Sequence, residues 1–285
     1  MLDIAIPLAG KSGWGDNNEL RYLLRSLEKN LKIPFRVLLY TRALPQWINQ
    51  REISCRVVPK YYPDSARKFN KVDQGGKKHY ETYFDVLHKL EVMSRDENLS
   101  GTFLYCYDDI LLVREIESLE EIDKRLALMH YDEGKSAYEM PVTKWGHTAT
   151  RAFDLLKRED RPLWDYETHL PRVLRKQMLQ SMFEKFPVEK EKIPYAPSTL
   201  YFNLFYDGPD DKIYGQNKVK AGFYGSRSDE LNDYGDYQAR DVEEIKKIVK
   251  TKTWVNYNNG GIGRHTVLKE WIQRAFPNKS KFEKK

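Results

Sequence analysis

The chain is poor in cysteine: Cys55 and Cys106 are the only thiols in 285 residues. Two so far apart build no disulfide framework, and no Cys/His grouping has the spacing of a zinc site. Also missing is any apolar run near the ~20 residues that a membrane helix needs. The opening "MLDIAIPLAG" has neither the basic start nor the apolar length of a secretion signal. No segment repeats, none is of low complexity, and "GGIG" near the C-terminus matches no phosphate-loop spacing. The expectation from these absences is a cytoplasmic protein, at most peripheral at a membrane, in one catalytic-size domain spanning 1–285.

Against this background two things are abundant. Tyrosine occurs 19 times, and its flat apolar ring with a hydroxyl suits cores, interfaces, sugars and exposed bases. The net charge is +6, which favours anionic partners such as phosphates or nucleotides. Part of that excess lies in lysine-rich stretches such as the tail "NKSKFEKK", which read as solvated ends.

The pattern along the chain is α/β. "LDIAIPLA" reads as a first strand running into the loop "GKSGWGDNN". Leu20, Leu23, Leu24, Leu27 and Leu31 then recur at helical spacing behind an Asn pair suited to capping. "FRVLLYT" and "SCRVVP" read as two further strands. This β-α-β-β opening matches a nucleotide-binding half. "HYETYFDVLHKLEVMSRD" predicts a helix, "GTFLYCYDD" a strand, and "SLEEIDKRLALM" another helix with Glu120 and Lys124 as an i, i+4 pair. Short helices are expected near 148–157, 168–185 and 240–250. The region 131–253 reads as a helical cap or insertion on an α/β core formed by 1–130 and 254–285. The C-terminal stretch predicts a strand, a glycine-rich turn and an amphipathic helix.

The sharpest local signal is "TFLYCYDDILLV" at 102–113, which sets Asp108 and Asp109 side by side inside an apolar strand pattern. An unpaired carboxylate in an apolar interior costs several kcal/mol or shifts its pKa until it is neutral. The strand must therefore end at the pair, or a cation must meet it there. Mg²⁺ or Mn²⁺ is commonly held by one or two carboxylates plus substrate phosphates, so the pair is a candidate metal site. In "WDYETHLP" at 164–171, His169 lies near Asp165 and Glu167 and just ahead of Pro171, a candidate proton acceptor for a hydroxyl. "NYNNGGIGR" at 256–264 places Asn258, Asn259 and Arg264 around a glycine turn able to approach a phosphate. Arg21 and Arg25 lie one turn apart on one helix face, and paired guanidiniums bind diphosphate oxygens well.

Taken in order, these segments resemble the Stealth family, sugar-1-phosphate transferases of capsule synthesis whose animal relative is the lysosomal-enzyme GlcNAc-1-phosphotransferase. "NELRYLLRS" at 18–26, "LPQWIN" at 44–49, "FLYCYDDILL" at 103–112, "HLP" at 169–171 and "STLYFNLFY" at 198–206 are similar to that family's motifs. The C-terminal region from Asn258 to "FPNKSKFE" is similar to its closing motif. The chain departs at the opening, where "AIPLAGKSGWGD" stands in place of "VYTWVDG", and at Asn259, where the family has Asp.

The resemblance implies a GT-A-like nucleotide-sugar transferase core with a helical insertion. It implies transfer of a sugar-1-phosphate from a nucleotide diphosphate sugar, expected to be a UDP-sugar, to the hydroxyl of a glycan or other acceptor. Asp108 and Asp109 would hold Mg²⁺ or Mn²⁺, with Asp109 also counted as catalytic, and His169 would deprotonate the acceptor. Arg21, Arg25 and Arg264 would bind phosphate, while Asn258 and Asn259 would orient sugar or acceptor. Two alternatives stand beside it. One is a glycosyltransferase on the same core, acting on a glycan or, as a second-rank partner, on a modified base in DNA. The other is an inactive relative that only binds glycan or nucleotide.

Overall fold

The structure, a computed structural model, describes residues 1–8, 17–69, 80–127, 129–131, 144–168, 170–212, 242–251, 253–256 and 266–284. In chain order the elements are β1 (Leu2–Leu8), α1 (Asn18–Asn30), β2 (Phe35–Thr41), β3 (Ile53–Val57), α2 (Asp64–Phe69), α3 (Glu81–Arg95), β4 (Thr102–Tyr105) and β5 (Ile110–Leu112). There follow β6 (Leu126–Ala127), β7 (Met129–His130), α4 (Lys144–Arg158), β8 (Trp164–Asp165), β9 (Arg172–Arg175), α5 (Lys176–Lys185) and α6 (Pro197–Phe205). The last are β10 (Asp211–Lys212), α7 (Val242–Thr251), β11 (Trp254–Asn256) and α8 (Thr266–Ala275).

The protein is a mixed α/β fold on a central sheet ordered β3-β2-β1-β4-β9, parallel except for β9. β1 lies in the middle with all seven residues buried, which is why it reads as an unbroken apolar run. α1 covers one face: Leu20, Leu23, Leu24 and Leu27 pack with Ile4, Ile6, Val37, Leu39 and Leu104. α3 covers the other, packing Phe84, Leu87, Leu90 and Met93 with Ala5, Leu38, Tyr40, Phe103 and Tyr105. The chain leaves β1 towards β2 through α1, then returns from β3 across β1 to β4 through α3. The order therefore reverses between β1 and β4, and open α/β sheets hold ligands outside the strand ends at such a point.

Pro7 helps to open the sheet there. The amide of Leu2 donates to Pro34 beside β2, and the carbonyl of Ala5 accepts from Cys106 beyond β4. Odd residues of β1 thus face β4, and the N–H that Pro7 lacks falls on that side. The β1–β4 register runs only from Asp3 to Ala5, whereas β1–β2 continues to Leu8. The two strands part just before the proline, where a missing donor costs nothing.

Two helical expectations give way. The stretch 118–129 forms only a 3₁₀ turn at Leu119–Glu121 before β6 and β7. The Glu121 carboxylate turns back to the amides of Glu117 and Ser118 at 2.9 and 3.0 Å, closing the turn on itself. The stretch 168–185 begins as β9, with Arg172, Val173 and Leu174 buried in the sheet edge, and becomes helical at Lys176. The described part of 131–253 is built into the α3 face: β9 joins the sheet edge, and α4, α5 and α6 share one apolar cluster with α3 and β4. Among the described residues, no helix is long and apolar enough to cross a membrane.

Candidate active site

The apolar pattern at 102–113 breaks at its acidic pair. β4 ends at Tyr105, Asp108 and Asp109 form a turn, and β5 resumes at Ile110 on a different sheet, antiparallel to β11. The turn is held at both ends. The Cys106 amide donates to Ala5 at 3.1 Å. On the far side, α1 acts in place of a strand: Ser26 Oγ accepts the Leu112 amide at 3.0 Å, and Asn30 Nδ2 donates to the Leu112 carbonyl at 2.6 Å. Ser26 and Asn30 are one turn apart on the helix, so both main-chain groups of Leu112 are satisfied from a single face.

Asp108 and Asp109 are half-exposed, and Asp108 is nonetheless set deep among protein atoms. Burial raises the Asp108 carboxyl to about 8, and the neighbouring charges of Asp109 and Glu19 add to it. Its own main-chain N–H and the Lys89 ammonium oppose the rise without overcoming it. Lys89 is itself 2% exposed and anchored, donating to the Leu8 carbonyl at 2.9 Å and to Asp85 at 2.5 Å. Glu19, fully buried in the first turn of α1, completes this charged group at the carboxyl ends of β1 and β4.

The "WDYETHLP" loop reaches the same place. β9 pairs with β4 so that Arg172 lies opposite Tyr105. Arg172, 4% exposed, spreads its guanidinium over the loop's carbonyls: Tyr166 at 2.6 Å, Leu170 at 3.3 Å and Thr168, whose Oγ1 also accepts at 3.0 Å. Glu167 caps α6, accepting from the amides of Ser198 and Thr199 at 2.7 and 3.2 Å. Burial, with the Glu167 charge next, pushes the Tyr107 hydroxyl up to about 12, so this carboxylate lies close to the acidic turn. Asp165 is fully buried and its carboxyl is raised to about 7, first by burial and then by the charge of Glu167. One of its oxygens accepts from the Glu167 amide and from Thr199 Oγ1, while the other has no partner.

His169, Asn258, Asn259 and Arg264 lie outside the described residues. Their flanks are placed: Thr168 and Leu170 by Arg172, and β11 by its pairing of Asn256 with Ile110, directly after Asp109. Arg21 and Arg25, expected as equivalent phosphate ligands, differ. Arg25 is engaged: its fork meets Glu283 at 2.7 and 2.9 Å, and Nη1 donates to Phe276 at 3.0 Å. It fastens the C-terminal segment to α1 and has no free fork for an anion. The Arg21 guanidinium lies over the Trp47 ring at 4.7 Å, with Nε 3.6 Å from Glu283 and the side chain 26% exposed. Its remaining donors can serve a ligand.

The two adjacent carboxylates suit a hard divalent cation, because their mutual repulsion in a crowded setting is what such an ion relieves. No group of three or more His, Cys, Asp or Glu converges among the described residues. The motif reading did not single out Glu19, Lys89 or Arg172. The signal for Arg172 was an arginine opening the short strand pattern "RVLR" directly after Pro171, and for Lys89 the i, i+4 spacing from Asp85 on an apolar helix.

No family model and no curated protein sequence matches the chain. Among solved structures it is similar to the galactosyltransferase LgtC in complex with donor and acceptor sugar analogues. That alignment has 11% identity and a TM-score of 0.45, covering 98% of this chain and 96% of that one. It is also similar to the apo-form glycosyltransferase GlyE of Streptococcus pneumoniae TIGR4. There the identity is 10% and the TM-score 0.46, over 98% of this chain and 60% of that one. Likeness at this level is a loose likeness in the course of the chain and carries no chemistry.

Proposed function

We propose that the protein is a nucleotide-sugar-dependent transferase with a GT-A-like core, working with Mg²⁺ or Mn²⁺ at Asp108 and Asp109. The observation that carries this reading is the acidic turn, held at both ends at the carboxyl end of the sheet where the β1–β4 pairing stops. The sequence resemblance to sugar-1-phosphate transferases supports the finer choice of reaction. A bound divalent cation supplies charge neutralisation for a diphosphate and its departing nucleotide phosphate.

In the proposed reaction His169 takes the proton of the acceptor hydroxyl. The acceptor oxygen attacks the sugar-bearing phosphorus, a new phosphoester forms, and the phosphoanhydride breaks with its electron pair leaving on the nucleotide monophosphate. Asp108 and Asp109 would hold the cation, Arg21 and Arg264 donate to phosphate oxygens of the donor, and Asn258 and Asn259 orient the sugar or acceptor. Arg172 holds the carbonyls on either side of His169.

The test is to incubate the protein with UDP-sugars, Mn²⁺ and hydroxyl acceptors, and to identify the nucleotide released by mass spectrometry. UMP is the expected product. UDP would leave the transferase reading standing but replace phosphotransfer with glycosyl transfer. Failure of every donor to bind or turn over would remove both.

A further inference from the structure

Parallel sheets are normally covered on both faces and blunted at their edges. β3 ends the central sheet here, four of its five residues are exposed, and Val57 is 69% exposed. Among the described residues, no strand pairs with its outer edge. The Val58 amide donates to Thr41 of β2 at 2.9 Å. Even-numbered residues therefore turn their main-chain groups towards β2, and Ile53, Cys55 and Val57 turn theirs outward. Beside this edge lies a groove of about 700 Å³ whose lining includes Arg51, Glu52, Cys55 and Arg56.

We propose that this edge joins a second copy of the chain, β3 against β3, antiparallel about a two-fold axis through Ser54. In that register Ile53 faces the partner's Cys55, and these odd-numbered residues exchange their outward N–H and C=O groups. Ser54 faces the partner's Ser54 as a non-hydrogen-bonded pair. Glu52 faces the partner's Arg56, and the two-fold axis makes this opposite-charge pair twice. The neighbouring registers lose it. An axis at Cys55 sets Glu52 against the partner's Val58, and an axis at Ile53 sets Arg56 against the partner's Gln50. The same short segment is thus complementary to itself in hydrogen bonding and in charge at one register. The inference is independent of the proposed reaction, because β3 is separated from β4 and the acidic turn by β2 and β1.

Sedimentation velocity from about 1 to 100 μM tests it, since a contact this short belongs in the micromolar range. The wild type is expected to dimerise towards the upper end. Glu52→Arg and Arg56→Glu should each weaken association by about tenfold, and the double variant, which reverses the pair, should restore it. Circular dichroism checks that these surface variants fold. Ser54→Cys in a Cys55→Ala background should give a disulfide-linked dimer on oxidation, because facing non-hydrogen-bonded residues are about 4.5 Å apart. Val57→Cys in the same background should not. A wild type monomeric throughout, single variants that associate as well as wild type, or a double variant as weak as the singles would overturn the proposal.

Discussion

Asp3 and Asp108 are two carboxylates served by neighbouring strands of one sheet, and the chain treats them in opposite ways. At the amino end, burial alone would raise Asp3. It instead accepts from Arg36 at 2.9 and 2.7 Å and from the Ser100 amide and hydroxyl at 2.8 Å, and is held below 3.8. At the carboxyl end, burial and like charges take Asp108 to about 8. Asp3 is surrounded by donors, whereas Asp108 is left short of them, the deficit that the proposed cation would fill.

The comparison breaks most sharply at the acidic turn. Replacing both Asp108 and Asp109 by Asn should lower turnover by about a thousandfold or more, measured as nucleotide release. The melting temperature should hold at neutral pH and rise above pH 8, where Asp108 ionises and the substitution removes a like-charge contact. The converse change, Asp3→Ala, should cost about 3 kcal/mol of unfolding free energy by denaturant titration, with turnover per folded molecule unchanged. It strands a guanidinium that is already partly solvated, which moderates the loss. The folded pKa of Asp3 is depressed, so its contribution is present above pH 3.8 and fades as pH falls through the folded value. Asp3→Ala should therefore also flatten the acid limb of the stability curve.

Smaller effects sharpen the contrast. Mn²⁺ at a hundred times its Kd should stabilise the wild type by about 2.7 kcal/mol, read as a shift in thermal midpoint. The double Asn variant should show none of it. Asp165 lies between the two extremes, satisfied at one oxygen only, with its carboxyl raised to about 7. A raised acid favours the fold below 3.8 and loses that contribution as pH rises through about 7. Asp165→Asn should accordingly gain on the order of 1 kcal/mol at pH 8 relative to pH 5, seen as a smaller difference in melting temperature between the two.

Local pattern made the first half of the sheet legible. The leucine spacing of α1, the apolar run of β1 and the helix before β4 all lie where periodicity puts them. The break at Asp108 followed from the cost of burying charge. Pattern failed where distant partners decide. "SLEEIDKRLALM" has helical spacing, but Arg125 in it is held by Asp210, 85 residues on. Arg21 and Arg25 look identical along the helix, and only Glu283, 258 residues beyond Arg25, separates their roles. The lysine-rich tail reads as solvent-exposed, yet Phe282 is buried in the core and Glu283 in the arginine clamp.

The mooring of the acidic turn has one more consequence. Only residues 106–109 span the distance from the tie at Ala5 to the strand that α1 grips through Leu112. A cord so short, knotted at both ends, has little slack to surrender when an ion arrives, so most of its ordering is already complete in the folded chain. Length is then as strict a requirement as composition. Shortening this span by one residue would pull β5 against α1 or lift Cys106 from β1, even with both aspartates retained.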